Sequence, residues 1–127
     1  MTVMMRPVLR FFMPFVGVVG ITAITFLPLC NLLFSCGCSA MGAANCNIHR
    51  AGGAQCPLCA HGNGVFALMY AAILIGVIAA ILGMLNVTPK MLPALAAGVV
   101  AYGVVASIAG LGIAIYFHYP TWFGVHL

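Results

Sequence analysis

Seven sulfur and imidazole donors crowd one short stretch of this sequence: Cys36, Cys38, Cys46, His49, Cys56, Cys59 and His61. The stretch, residues 35–64, reads SCGCSAMGAANCNIHRAGGAQCPLCAHGNG, and Cys30 precedes it. Cys36-x-Cys38 and Cys56-x-x-Cys59 are two knuckles separated by 17 residues, close to the spacing of a four-cysteine zinc site with the first knuckle one residue short. His49 lies three residues after Cys46 and His61 two after Cys59, so mixed Cys/His coordination is equally available. Soft and borderline donors without a single carboxylate suit zinc, copper(I) or an iron–sulfur centre rather than hard cations.

Disulfides are the competing chemistry. Six is an even number of cysteines, and an oxidising compartment would pair them. Cys36-Gly37-Cys38 is too tight for an easy internal bond, so each of its cysteines would pair elsewhere. The histidines argue for metal and an extracytoplasmic location argues for disulfides; the two readings stand side by side, as does a mixture of both. Covalent haem attachment fails on a detail, because Ala60 follows Cys59 and His61 comes one residue too late. Six glycines keep the stretch from building a core of its own, so a covalent or metallic link is expected to fix it.

The elements that position these residues are apolar. Of 127 residues, 65% are hydrophobic and 3% charged, with no Asp or Glu, which is incompatible with a water-facing surface. The fold class is therefore an all-α membrane protein. The missing carboxylates exclude Asp/Glu acid–base catalysis, carboxylate calcium or magnesium sites and acidic proton wires. Arg6, Arg10, Arg50 and Lys90 are scattered, so no basic stripe exists for nucleic acid. Three stretches are long enough to cross a bilayer: residues 11–34, 65–87 and 92–117. The first is too long for the apolar part of a secretory signal and reads as a retained anchor.

Placing residues 1–10 in the cytoplasm puts Arg6, Arg10 and Lys90 inside and only Arg50 outside, as the positive-inside tendency requires. Residues 88–91 are then a cytoplasmic turn, residues 35–64 an exoplasmic loop, and residues 118–127 an exoplasmic tail whose Tyr119 and Trp122 suit the headgroup level. The expected setting is a bacterial inner membrane with the cysteine-rich loop facing the periplasm. Pro28 is expected to disturb the last turns of the first helix, so that the loop starts before a clean helix end. Small residues recur every four positions at Ala72, Gly76 and Ala80, at Ala79 and Gly83, and at Ala106, Gly110 and Ala114. Such ladders let helices approach closely in lipid, either within the hairpin or against another subunit. Within the spans the only titratable groups are Cys30, Tyr70, Tyr102 and Tyr116, so no ion or proton path is expected. Tyr70 and Tyr102 read as hydrogen-bonding packing residues.

Cys56-Pro57-Leu58-Cys59 at the entrance of a membrane helix resembles the CxxC of the disulfide-bond-forming quinone reductases, and the likeness extends over the following hairpin, about Gln55 to Pro120. That resemblance implies Cys56 and Cys59 as the quinone-side pair and two of Cys36, Cys38 and Cys46 as the shuttle pair. It departs from the family where a fourth helix, a second cysteine pair after the third helix and an arginine soon after the CxxC are expected; here Ala60-His61-Gly62 follows, and no cysteine comes after Cys59.

The expectation for function is a non-catalytic accessory subunit of a larger membrane complex, embedded in lipid beside other subunits, with its loop fixed by disulfides or by zinc or copper. The alternatives are a copper- or zinc-handling membrane protein and a quinone-linked thiol-disulfide oxidoreductase.

Overall fold

The computed structural model describes residues 2–39, 45–49, 51–52 and 54–127, with side chains from Val8 onward. Helix α1 spans Thr2–Phe34, a short α2 spans Pro57–Ala60, α3 spans Gly62–Val87 and α4 spans Met91–Tyr116. A single 3-10 turn, Asn47–His49, lies in the cysteine-rich loop, and β1 (Thr121–Trp122) and β2 (Val125–His126) pair antiparallel. Val8–Phe34, Gly62–Val87 and Met91–Tyr116 are long and apolar enough to cross a membrane, which makes this an integral membrane protein.

The expected spans reappear with small shifts at their ends. The larger difference is in α1, which is helical from Thr2 and passes through both Pro14 and Pro28 to Phe34. Its 33 residues span about 50 Å, longer than the apolar thickness of a bilayer. The loop therefore starts after a clean helix end rather than at Pro28. Neighbouring helices support a proline in a membrane span, where the lipid offers no competing water to open the broken turn.

Each long helix buries a row of residues four apart. In α1 the row is Pro14, Val18, Thr22, Phe26 and Cys30; in α3 it is Met69, Ile73, Val77 and Ile81; in α4 it is Ala94, Gly98, Tyr102, Ala106, Gly110 and Ala114. The α4 row is almost entirely small, so larger side chains of both partners enter it. A Cβ on Gly98 would stand 2.8 Å from Val18 and 3.2 Å from Ile81, and one on Gly110 would stand 3.0 Å from Leu33. On α3, Gly76 receives Val105. Two of the small-residue ladders are thus consumed inside the bundle, that of α3 by α4 and that of α4 largely by α1. Ala79 and Gly83 face outward, and a Cβ on Gly83 would meet nothing within 4 Å. Tyr102 behaves as a packing residue, its hydroxyl hydrogen-bonded to Thr25 Oγ1 at 3.1 Å, and Tyr70 packs with Phe26 and Phe66.

The helices thread so that charge and sulfur lie at opposite ends. Gly17 of α1 sits against Leu95 of α4, which places exposed Arg10 and Lys90 together at one end of the bundle. At the other end the C-terminus of α1 meets the cysteine-rich loop and the tail. Phe123 and Gly124, both with positive φ, make the tight turn of the β1–β2 hairpin, and the Phe123 amide donates to the Leu33 carbonyl at 2.9 Å. The tail is docked on α1 by this bond, and on α4 by the Trp122 indole, which donates to the Ser107 carbonyl at 3.3 Å.

Candidate metal centre

The chain reverses sharply after α1. Ser35 takes a left-handed conformation with its amide bonded to the Asn31 carbonyl at 2.7 Å, which closes the helix. Gly37, with φ of +84°, receives its hydrogen-bond acceptor from the same residue, the Asn31 side chain, at 2.7 Å. A side chain on Gly37 would run into the Asn45 carbonyl oxygen, so this position requires glycine both for its φ and for its space. The reversal carries Cys36 back over the last turns of α1, where Cys30 projects.

The result is one sulfur cluster. Cys30 Sγ lies 3.4 Å from Cys36 Sγ and 3.6 Å from Cys56 Sγ, and Cys38 Sγ lies 3.7 Å from Cys59 Sγ. Three groups have all their sulfurs within 4.8 Å of one another: Cys30, Cys36 and Cys56; Cys30, Cys38 and Cys59; and Cys36, Cys38 and Cys46. None of the six cysteines is disulfide-bonded, and five of them are buried, none of these more than 3% exposed. A disulfide would bring its sulfurs to about 2.05 Å. Separations of 3.4 to 3.7 Å instead approach the edge between two sulfurs on one ion, about 3.8 Å for a tetrahedron with metal–sulfur bonds of about 2.3 Å.

Five of the seven expected donors, Cys36, Cys38, Cys46, Cys56 and Cys59, are brought together. The two histidines are not among the converging groups of the described residues. His49 is exposed on the 3-10 turn, and His61, also exposed, stacks on Phe117 with ring centroids 4.2 Å apart. Cys30 takes the place the histidines were expected to fill. It belongs to two of the three groups, although it lies inside the membrane-spanning helix.

Asn47 holds the loop in register using its whole amide. Its Oδ1 accepts from the Cys56 amide at 2.8 Å and from the Cys46 thiol at 3.8 Å, while its Nδ2 donates to the Ala54 carbonyl at 3.0 Å and to the Tyr119 hydroxyl at 2.9 Å. Tyr119 in turn donates to the Phe34 carbonyl at 2.9 Å, at the end of α1, and its ring packs edge-on against Phe34. The Asn47 amide donates to the Cys36 carbonyl at 2.7 Å. One asparagine thereby ties the Cys36, Cys46 and Cys56 segments and the C-terminal tail to a single helix end.

With family models, curated proteins and solved structures alike, this chain gives no match.

Charge within the cluster is uneven. Hydrogen bonds from Cys30 and then Cys56 hold the Cys36 thiol well below the ordinary range. Burial pushes Cys38 and Cys59 up. Cys56 is pulled down by Cys30 but ends raised, through its contact with Cys36 and through burial. Burial and the neighbouring sulfurs thus favour the protonated form at Cys38, Cys56 and Cys59. A bound cation would displace those protons and relieve both costs. Among the described residues the donor set is sulfur only, which fits zinc or copper(I).

Proposed function

We propose that this chain is a small integral membrane protein that binds a soft metal, copper or zinc, in an all-cysteine centre at one end of its helical bundle. The observation that carries this reading is the convergence of all six cysteines of the sequence, five of them buried, drawn from the end of α1 and the separate segments of the loop. Apolar burial alone gives no reason for separate segments to aim every sulfur at one point. The charge asymmetry supports an orientation with Arg10 and Lys90 in the cytoplasm and the centre on the exoplasmic side, periplasmic in a bacterial inner membrane.

The experiment is metal analysis of the full chain purified under reducing, anaerobic conditions, together with intact mass before and after thiol alkylation. Stoichiometric zinc or copper that protects the cysteines from alkylation supports the reading. Metal-free protein whose six cysteines are all disulfide-bonded would overturn it.

A second reading concerns the setting of this centre: a non-catalytic subunit of a larger membrane assembly, in which the metal fastens the loop. It is favoured by the outward Ala79 and Gly83, small residues that internal packing leaves unused. Migration on blue-native electrophoresis after gentle solubilisation tests it, and a lone monomer would sink it. The quinone-reductase reading draws less support. Cys56 Sγ lies 3.6 Å from Cys30 Sγ and Cys59 Sγ 3.7 Å from Cys38 Sγ, so each is also engaged outside the CxxC, and Cys56 is fully buried.

A further inference from the structure

Resting on the soft-metal reading, we propose that the six cysteines hold three copper(I) ions in a sulfur-bridged ring rather than one tetrahedral ion. The sulfurs meet in threes: Cys30/Cys36/Cys56, Cys30/Cys38/Cys59 and Cys36/Cys38/Cys46. Every two groups share one member. Cys30 joins the first and second, Cys38 the second and third, and Cys36 the first and third, while Cys56, Cys59 and Cys46 each belong to one group. An ion in each group therefore has two sulfurs in common with its neighbours and one of its own. The ions alternate with Cys30, Cys38 and Cys36 around a six-membered ring, and Cys56, Cys59 and Cys46 cap it from outside.

Coordination number selects the metal. Three isolated trigonal ions would need nine sulfurs, and six suffice because a thiolate has lone pairs enough to bridge two metals. Zinc in a structural site takes four ligands, which none of these groups supplies by itself. Copper(I) is the soft ion that accepts three thiolates, and thiolate selects it over harder competitors. Burial of the bridging sulfurs, each exposed by 3% or less, keeps water and oxidants from the ring. On loading, each thiol releases its proton to solvent; Cys46, Cys56 and Cys59 then form one copper–sulfur bond each and Cys30, Cys36 and Cys38 two each, with no change in oxidation state.

The test is an anaerobic titration of the reduced full chain, in detergent micelles, with copper(I) alone against a chromogenic copper(I) chelator. Native mass spectrometry counts the bound ions, and X-ray absorption at the copper edge reports their neighbours. Three coppers per chain, filled cooperatively, with three sulfurs each and a copper–copper scattering shell, is the expected result. Cys30→Ser should cost two of the three coppers and Cys46→Ser one. A single copper without a copper neighbour, or a preference for one zinc with four sulfurs, overturns the ring while leaving the soft-metal reading in place. Reduced protein that takes up neither ion overturns both. If the serine variants fail to fold, the stoichiometry and scattering of the unaltered chain still decide.

Discussion

Cys30 Sγ and Cys36 Sγ approach to 3.4 Å although one lies in a membrane helix and the other in the loop after it, joined by the left-handed turn at Ser35. This contact makes Cys30 a full member of the centre. Cys30→Ser should therefore reduce bound metal at least as strongly as Cys56→Ser, whereas His49→Ala and His61→Ala should leave it unchanged. Metal per chain, measured after purification of the four variants in parallel, checks the contrast. Metal loss in the histidine variants would return those residues to the ligand set.

If the cluster holds a soft metal as proposed, stripping it should loosen the loop and spare the bundle. The helices are packed by apolar and small residues that have no part in the centre, whereas the loop owes its fixed form to the sulfurs and to Asn47. A strong thiol-competing chelator is expected to expose the hydrogen-bonded loop amides of Asn47, His49, Cys56 and Cys59 to hydrogen exchange while those of α3 and α4 stay protected. Equal loss of protection in the helices would show that the centre supports the whole fold.

Much of this architecture was legible beforehand, and the exceptions have physical causes. The spans were readable because 65% apolar composition leaves few choices for where helices run. The start of α1 was not, because Arg6, Arg10 and Pro14 look like a break in a purely apolar count, while the helix needs only satisfied backbone to extend beyond the lipid. Cysteine spacing pointed to the loop, and it hid Cys30, since a residue six positions before Cys36 reaches it only through the reversal at Ser35 and Gly37. The histidines misled because register with cysteines in sequence says nothing of direction in space. Tyr119 reads in sequence as a headgroup anchor, yet it is buried and its hydroxyl is spent on Asn47 and the Phe34 carbonyl; Asn47 left no signal of its own, since a lone asparagine beside a cysteine becomes a hub only when four partners fold around it.

Gly37→Ala and Gly52→Ala make a matched pair. Both glycines have positive φ, +84° and +86°, but a Cβ on Gly37 meets the Asn45 carbonyl whereas one on Gly52 meets nothing within 4 Å. The backbone alone should cost each variant about 1–2 kcal/mol. Gly37→Ala must in addition displace the Asn45 backbone, and Cys46 with it. Thermal unfolding should show the larger fall for Gly37→Ala, accompanied by lost metal, and equal falls would mean that the close approach at Gly37 is relieved at no cost.

Asn47→Ala should be more damaging than Tyr119→Phe. The first removes both acceptor and donors from the loop, leaving the part-buried Cys56 amide without its partner at a cost of about 1–3 kcal/mol, while the exposed Ala54 carbonyl turns to water. The second removes one hydroxyl, and the Phe34 carbonyl it served still has Thr121 Oγ1 at 3.4 Å. Denaturant unfolding of the two variants against the unaltered chain ranks them. A greater loss for Tyr119→Phe would place the anchor of the loop in the tail rather than in the asparagine.

The small-residue positions separate packing within the chain from packing against another. Gly98 lies where Val18 and Ile81 enter the α4 surface, with 2.8 Å and 3.2 Å available to a Cβ, so Gly98→Val overfills the three-helix contact and should cost about 1–3 kcal/mol. Gly83 has open space above it, so Gly83→Val should leave the stability of the isolated chain within about 0.5 kcal/mol. Reversible unfolding in mixed micelles measures both. The same Gly83→Val chain, returned to its native membrane and resolved by blue-native electrophoresis, should fall out of any assembly that docks on this face, because a branched side chain holds two helices apart where glycine lets them touch. Retention of Gly83→Val in an assembly would place the partner on another face, while a fall in the stability of the isolated chain would show that Gly83 is packed internally.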